Sequence, residues 1–330
     1  MRRAILSLLV LAAFGCGGAA AIAAFTATTA NPGNSFAAAG SFGGMRVATG
    51  TYTGNGADNR TIAVGFAANL VIVKGNNTQS AVARSSSVGG DLSKPLTGAV
   101  GVAPNLIQSI TATAFTVGTD AQVNTNGTRY DWIAFRSYPQ QMEQGLYTGN
   151  GSTQSITGLG FSPDYVLVAG AGTTAAVQRS SSMPGAYRFD PTAAAANGIT
   201  ALGTDGFSVG NSAETNTNGQ TYAYIAWNAV HGLMSESSYN GNGVDGRNIG
   251  GANLQPDYVM VRSSTNGNNC DRGVHRPASL GGDSTLHFPN IANTANVIQA
   301  LQANGFQVGN DCKVNTNGKP YYWMAFRTGS

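Results

Sequence analysis

The stretch VNTNGTRYDWIAFR at residues 123–136 recurs as TNTNGQTYAYIAWN at 215–228 and as VNTNGKPYYWMAFR at 314–327. Each copy places an Asn-Gly pair before a run rich in aromatic residues. Asn and Gly tolerate positive φ, so the pair predicts a hairpin turn, and the aromatic run favours a β-strand. We expect a structural role for the turn pairs and tryptophans of these copies, namely Asn126, Gly127, Trp132, Asn218, Gly219, Trp227, Asn317, Gly318 and Trp323. The alternative is that the turn side chains contact a ligand.

Other short patterns repeat in the same order. Tyr52, Tyr147 and Tyr239 are each followed by Gly-Asn-Gly, and the patterns AFTVG, GFSVG and GFQVG begin at 114, 206 and 305. Self-similarity at a fixed period indicates repeated structural units. We predict three repeats at 49–136, 145–228 and 237–327.

Each repeat is predicted to be all-β. The runs NLVIVK, DYVLVA and DYVMVR are short and Val-rich, which is typical of strands buried on both faces. In the aromatic-rich strand that ends each repeat, the side chains on both faces are largely apolar, which indicates a central position in a sheet. The stretch ANTANVIQALQANG at 292–305 has helical spacing. We therefore expect three tandem small β-sandwiches, either as independent beads or packed around a pseudo-threefold axis.

The N-terminus has the layout of a secretory signal. Positive charge at residues 1–3 is followed by an apolar run to about residue 25. Two alternatives to cleavage are a lipoprotein signal that uses Cys16 and a retained membrane anchor. We expect an extended segment at 26–48, an extracellular or bacterial cell-surface location, and membrane contact only through the signal or a lipid anchor.

Composition argues against several classes of partner. Charged residues make up 10% of the chain and the net charge is +3, with no polybasic run to bind nucleic acid.

The cysteines predict one disulfide. If Cys16 leaves with the signal or is lipidated, Cys270 and Cys312 remain as a pair in one repeat. An oxidising compartment would allow them to form a disulfide, and two free thiols are the alternative.

The sequence lacks the strongest motifs of hydrolysis, metal catalysis and phosphate chemistry, so we expect no catalytic residues, metal or cofactor.

Three arginines recur at a constant distance from the buried strand: Arg84, Arg179 and Arg272 each follow a Val of that strand by eleven residues. Guanidinium groups suit carboxylates, sulfates and sugar hydroxyls. We predict these arginines, with Ser85 and Ser180 beside the first two, as ligand-binding residues. Alternatively, the arginines fix the loop after the strand by bonding to backbone carbonyls.

Each repeat resembles the concanavalin- or laminin-G-like modules of phage tail appendages and secreted bacterial surface proteins. The resemblance lies in the order of short patterns: a tyrosine, a glycine-rich turn, G-F-x-P-D-x-V-x-V, an arginine, G-F-x-V-G and N-x-x-G-x-x-Y. This resemblance implies jelly-roll-like sandwiches used for adhesion or glycan binding, without catalytic residues. The chain departs from the pattern at Ala68 and Asn69, and at Asn253 and Leu254. The stretch AAIAAFTATTANPGNSFAAAGSF at 20–42 is similar to the start of camelysin-like and biofilm-fibre proteins, which implies assembly at the bacterial surface.

Three function classes follow from these observations. The first is a secreted or cell-surface adhesion protein that binds glycan or a cell-surface polymer, since linked weak sites gain avidity. The second is a fibre or biofilm-matrix subunit that self-assembles by adding its N-terminal segment to a neighbour's sheet edge. The third is an extracellular hydrolase, for which no convergent acidic or Ser/His site can be assembled from the sequence.

Overall fold

Three modules of the same architecture make up the computed structural model, which describes residues 44–192, 194–264 and 268–328. The predicted signal at 1–25, Cys16 and nearly all of the extended segment at 26–48 lie outside the described residues. Within those ranges the chain is all-β, as predicted, with one four-residue helical turn in each module.

Module 1 contains strands β1 (Arg46–Thr53), β2 (Arg60–Ala63), β3 (Leu70–Gly75), β4 (Val82–Ser85), β5 (Lys94–Pro95), β6 (Ile107–Ile110) and β7 (Ala114–Val117), helix α1 (Ala121–Asn124) and strand β8 (Arg129–Arg136). The strands form a five-stranded sheet in the order β1-β8-β3-β4-β5 and a three-stranded sheet in the order β2-β7-β6, and all pairs are antiparallel.

Modules 2 and 3 repeat this plan. Module 2 contains β9 (Met142–Thr148), β10 (Gln154–Thr157), β11 (Tyr165–Gly170), β12 (Val177–Ser180), β13 (Tyr187–Arg188), β14 (Ile199–Gly203), β15 (Gly206–Val209), α2 (Ala213–Asn216) and β16 (Thr221–Trp227). Module 3 contains β17 (Met234–Asn240), β18 (Arg247–Ile249), β19 (Tyr258–Ser263), β20 (Gly273–Pro277), β21 (Leu286–His287), β22 (Ile298–Gln302), β23 (Gly305–Val308), α3 (Cys312–Asn315) and β24 (Pro320–Phe326). The sheet orders are the same as in module 1.

The large sheet of each module is apolar on both faces. In β3, all six residues are buried; Val71 and Val73 face the module's own small sheet, while Leu70 and Ile72 face a core shared by all three modules. Strand β8 lies between β1 and β3 and is buried over its central six residues. The predicted double burial of the Val-rich strand and the predicted central position of the last strand are both confirmed.

Three equivalent aromatic side chains meet in the shared core. Phe135 of β8, Trp227 of β16 and Phe326 of β24 have ring centres 5.0 to 5.9 Å apart in each pairwise combination. The two contacts of Phe135 are edge-to-face, and such packing contributes beyond the burial of apolar area. The modules are therefore packed around an approximate threefold axis and are not independent beads.

Backbone hydrogen bonds close the ring of modules. Ala176 N donates to Leu96 O at 3.1 Å, joining module 2 to module 1. Gly273 N donates to Phe189 O at 2.8 Å, joining module 3 to module 2. Ala81 N donates to Phe288 O at 2.8 Å and joins module 1 back to module 3. Each bond leaves the start of a module's fourth strand and reaches the residue after the preceding module's fifth strand, so the cycle is complete.

Two local predictions are wrong. The Asn-Gly pair does not form a hairpin, because β7 and β8 belong to different sheets and are connected through α1. Only the glycine has positive φ, with values of 74° to 77° at the three copies. The stretch at 292–305 forms strand β22 rather than a helix, since Ile298 and Leu301 pair with Val308 and Phe306 of β23.

Cys270 and Cys312 form the predicted disulfide, with their Cα atoms 5.4 Å apart. The bond ties the loop between β19 and β20 to the first residue of α3. At the equivalent helix position, modules 1 and 2 have Ala121 and Ala213. The disulfide therefore stabilises a loop that is specific to module 3.

Candidate ligand-binding site

The predicted arginines of modules 1 and 2 point into the loop that follows them. Arg84 is 6% exposed, and its guanidinium donates to the carbonyl oxygens of Leu92, Ile107, Val88 and Gly90. Arg179 donates to Ile199 O at 2.9 Å, and burial lowers the pKa of both arginines. These contacts match the alternative interpretation, in which the arginine fixes a loop by bonding to backbone carbonyls.

In module 3 the equivalent arginine is Arg276, not the predicted Arg272. Arg276 pairs with Val259 as Arg84 pairs with Val71, and it donates to carbonyls of its own loop, including Leu280 O at 3.1 Å. Val261 pairs with Val274, thirteen residues on, whereas Val73 pairs with Val82, nine residues on. The four extra residues shift the register, and Arg272 instead donates to Asn269 O within the longer loop.

The predicted serines lie at contacts between modules. Ser85 Oγ donates to Gln144 on β9, the first strand of module 2. Ser180 Oγ lies 2.9 Å from Ser182 Oγ, which donates to Glu236 on β17 at 2.6 Å. The serines at the ends of β4 and β12 and just after them therefore connect module 1 to module 2 and module 2 to module 3.

The repeated NTNG sequence is anchored by its first asparagine, which was not among the predicted site residues. Asn124 is fully buried at the end of α1. Its amide nitrogen donates to Ala57 O at 2.7 Å and to Gly118 O at 2.9 Å, and its oxygen accepts from Asn55 N at 3.0 Å. Asn216 and Asn315 make the same contacts in the other modules. One side chain thus holds three loops together at the end of each module.

A column of stacked groups stands beside this anchor. In module 1, Tyr52 of β1 stacks on Tyr130 with ring centres 5.2 Å apart. The guanidinium carbon of Arg60, the first residue of β2, lies 5.1 Å from the centre of the Tyr52 ring. Tyr52 OH donates to Val123 O at 2.6 Å, which fixes its ring against α1. Burial raises the pKa of Tyr52 well above its usual value despite the nearby arginine, so the hydroxyl stays protonated at neutral pH.

Module 3 has the same column. Tyr239 stacks on Tyr321 at 5.3 Å, and the guanidinium carbon of Arg247 lies 5.3 Å from the Tyr239 ring centre. Arg247 Nη1 donates to Asn240 O at 2.5 Å, the carbonyl equivalent to the one that Arg60 contacts. We call Arg60, Arg247 and their module 2 equivalent, Gln154, the outer residues of the columns.

In module 2 the outer residue is uncharged. Tyr147 stacks on Tyr222 at 5.3 Å, and Gln154 Nε2 donates to Thr148 O at 3.2 Å, which is again the equivalent carbonyl. Each outer residue begins the first strand of the small sheet and is partly exposed. The three modules therefore share a polar donor at one surface position, charged in two modules and neutral in one.

A groove of about 230 Å³ opens beside the column in module 3, between β17 and β18. Its lining includes Ser237, Ser238, Tyr239, Arg247, Asn248 and Trp323. In module 1 the Trp132 ring lies against Gly50, where an added Cβ atom would come within 2.4 Å of it. Ser237 stands at the position of Gly50, so the module 3 groove has the Ser237 hydroxyl on one wall, the Arg247 guanidinium on the other, and aromatic rings between them.

Buried bases elsewhere in the chain are used between modules. Lys94 donates to Gly172 O of module 2 at 2.8 Å, and Arg262 donates to Arg188 O of module 2 at 2.7 Å. Burial lowers the pKa of Lys94 to about 8 and of Arg262 to about 10. In the described ranges, no three His, Cys, Asp or Glu side chains converge as a metal site would require.

The three tryptophans are buried but are not equivalent. Trp132 packs on Phe115 at 5.9 Å within module 1, and Trp323 packs on Phe306 at 5.7 Å within module 3. Trp227 instead lies in the shared core and stacks on Tyr165 at 5.1 Å.

Comparison with known proteins adds one match. Residues 138–238 match the model of a domain of unknown function, DUF7483. The matched range runs from just before β9 into β17 and so contains all of module 2. No curated protein matches the chain. Among the described residues, no helix is long and apolar enough to cross a membrane.

The outer residues carry a weak signal in the sequence. Arg60 and Arg247 each lie eight residues after the tyrosine that opens the repeat, and Gln154 lies seven residues after its tyrosine. The change from arginine to glutamine hides this equivalence in an identity-based alignment. Both side chains donate to the same backbone carbonyl, and this property can be recognised only in the fold.

Proposed function

We propose that this protein is a non-catalytic adhesion protein that binds glycan or a related cell-surface polymer through one site on each module. The observation that carries the proposal is the repeated column, in which an outer hydrogen-bond donor lies beside stacked tyrosines on three modules. The stacked tyrosines hold the outer donor at a fixed surface position, and such donors suit the hydroxyl groups that sugars present. This interpretation keeps the function class implied by the resemblance to concanavalin- and laminin-G-like modules but moves its site from Arg84 and Arg179 to the columns.

The shared core supports a multivalent mode of binding. Because the modules are packed on one axis, their columns have fixed separations and directions. A ligand with repeated units, such as a surface polysaccharide, can then occupy more than one site without the entropy cost of ordering flexible linkers. We propose that affinity for the repeated ligand depends on this fixed geometry more than on any single site.

Location at the cell surface or outside the cell is part of the same proposal. The signal-like N-terminus and the composition of the chain favour export. The Cys270–Cys312 disulfide is of a kind that persists in oxidising compartments.

A glycan array tests the proposal. The wild-type protein is expected to bind a subset of repeating glycans, and replacing Arg60, Gln154 and Arg247 together by Ala should reduce this binding at least 100-fold, within the range that avidity supplies. Single replacements should cost much less. Arg327→Ala removes an exposed charge outside the columns and serves as the control. Wild-type-like binding by the triple variant, or an array without any signal, would contradict the proposal.

The fibre alternative depends on the segment at 26–48, nearly all of which lies outside the described residues. It predicts filaments from protein that starts near residue 25 and none from protein that starts near residue 41. Electron microscopy of the two forms separates it from the adhesion proposal, which expects glycan binding by both.

A further inference from the structure

The outer residue of module 3 has an unused hydrogen-bonding edge. Among the described residues, Arg247 bonds only through Nη1, to Asn240 O at 2.5 Å and to Asn315 Oδ1 at 3.4 Å. Its Nε and Nη2 groups have no protein partner there, and its side chain is partly exposed on the wall of the groove. The Nε and Nη2 side of a guanidinium is a planar fork that matches a carboxylate through two parallel hydrogen bonds.

No described carboxylate neutralises Arg247. The nearest acid in the sequence is Asp245, which accepts a hydrogen bond from Gln299 Nε2 at 2.9 Å and forms no ion pair with Arg247. The ring of Tyr239 holds the guanidinium in place from one side. The groove therefore presents a fixed positive charge opposite the hydroxyl of Ser237.

We infer that the module 3 groove binds a carboxylate-bearing sugar, such as a uronic acid residue at the end or within the chain of a polysaccharide. Arg247 receives the carboxylate, while the Ser237 hydroxyl bonds to a ring hydroxyl of the same sugar. The inference rests on the proposed glycan-binding function and names the ligand class of one of its sites.

Module 2 supplies the matched substitution. Gln154 occupies the position of Arg247 and bonds to the equivalent carbonyl, so Arg247→Gln keeps an arrangement that this fold already contains. Arg327→Gln makes the same change of net charge at an exposed position outside the groove. The pair of variants separates a specific contact from general electrostatic attraction.

The experiment measures binding, by titration calorimetry, of a panel of uronic-acid oligosaccharides beside their carboxyl-reduced counterparts. The panel contains oligogalacturonate, oligomannuronate and hyaluronan fragments. For at least one pair, the wild-type protein and Arg327→Gln should bind the acidic member about tenfold more tightly, a difference of about 1.4 kcal/mol. Arg247→Gln should bind both members equally while keeping the wild-type unfolding temperature. The preference should also weaken as salt is raised.

Two results would overturn the inference. One is the same affinity for the acidic and reduced members of every pair, and the other is an acid preference that Arg247→Gln leaves intact. In the first case the proposed function still stands if reduced or neutral glycans bind. If neither acidic nor neutral glycans bind, the proposed function itself fails.

Discussion

At the residue scale, equivalent positions in the modules carry different side chains, and the property that these side chains share is the one that the fold needs there. In module 2, Tyr165 OH donates to Gln178 Oε1 at 2.8 Å, and in module 3 the equivalent Tyr258 OH lies 3.0 Å from His275 Nδ1. The polar partner of the buried tyrosine is thus either an amide or an imidazole. Of these two partners, only the imidazole can be protonated near neutral pH once unfolding exposes it, so we expect module 3 to be sensitive to acid.

His275→Gln should reduce the loss of stability in acid. Burial lowers the pKa of His275 well below its usual value, and Lys74 and His287 nearby lower it further. Above pH 6.5 the imidazole is neutral in both states; below it, the unfolded chain binds a proton that the folded chain excludes. The free energy of unfolding therefore falls with decreasing pH, by up to about 1.4 kcal/mol per pH unit for one histidine.

Chemical unfolding between pH 7.5 and 4.5 checks this expectation. The variant should show a shallower decline than the wild type, with the remaining slope due in part to His287, whose pKa burial lowers to about 3. His231→Gln is the control, because His231 is exposed in the linker before β17. Parallel declines for wild type and His275→Gln would show that His275 does not control the acid response.

At the element scale, the connection between the two sheets depends on one buried amide. Asn124 joins the loop after β1, the end of β7 and helix α1. The close approach of these segments also explains the first glycine of each Gly-Asn-Gly, since a Cβ atom on Gly54 would lie 2.1 Å from Thr125 O. The repeated sequence therefore specifies a junction of three loops and not a hairpin.

Asn124→Ala should destabilise the protein by about 2–3 kcal/mol, because it leaves the buried Gly118 carbonyl without its partner and releases two further backbone groups. Asn126→Ala, two residues on, changes an exposed side chain in the same turn and should stay within about 0.5 kcal/mol of wild type. Denaturant unfolding of the two variants makes the comparison. Equal effects would mean that the amide network does not hold the junction.

The sequence predicted those features that depend on a local pattern. Alternation and composition located the strands around Val71 and Trp132, and the cysteine count predicted the disulfide. The position of Arg276 was missed because the constant spacing to Arg272 was a coincidence that concealed a four-residue insertion. The junction at Asn124 was missed because its three partners lie in segments separated by up to 69 residues. Such contacts are set by the tertiary fold and leave no local period.

At the scale of the whole molecule, the second apolar face of each large sheet decides the architecture. A two-sheet sandwich needs one apolar face per sheet, whereas β11 buries Val166 and Val168 against its own small sheet and Tyr165 and Leu167 against the other modules. The sequence shows the double burial, but any covering layer would satisfy it. The choice of a closed ring comes from complementary contacts such as the bond from Ser182 to Glu236, which recurs in modified form at each boundary.

An isolated second module should therefore not be a stable monomer. Residues 138–230 alone would expose Tyr165, Leu167, Ile225 and Trp227, an apolar patch of the kind that drives association. The contacts of the ring are cyclic, and three copies can restore them with closed threefold symmetry. In that trimer, Ser182 of each copy would face Gln144 of the next, and three Trp227 side chains would meet on the axis. Size-exclusion chromatography with light scattering should report a trimer, or aggregates where the trimer does not form.

Trp227→Phe is the decisive companion variant. The native axis holds one tryptophan and two phenylalanines, so three tryptophans overfill it, and the smaller ring reproduces the side chain of Phe135 and Phe326. The variant should increase the fraction of trimer and its unfolding temperature, whereas Ile225→Lys should abolish the trimer by placing a charge in the shared core. A monodisperse wild-type module that unfolds cooperatively as a monomer would contradict the expectation. It would mean that the inner face can be solvated and that the ring is held by its linkers and not by its core.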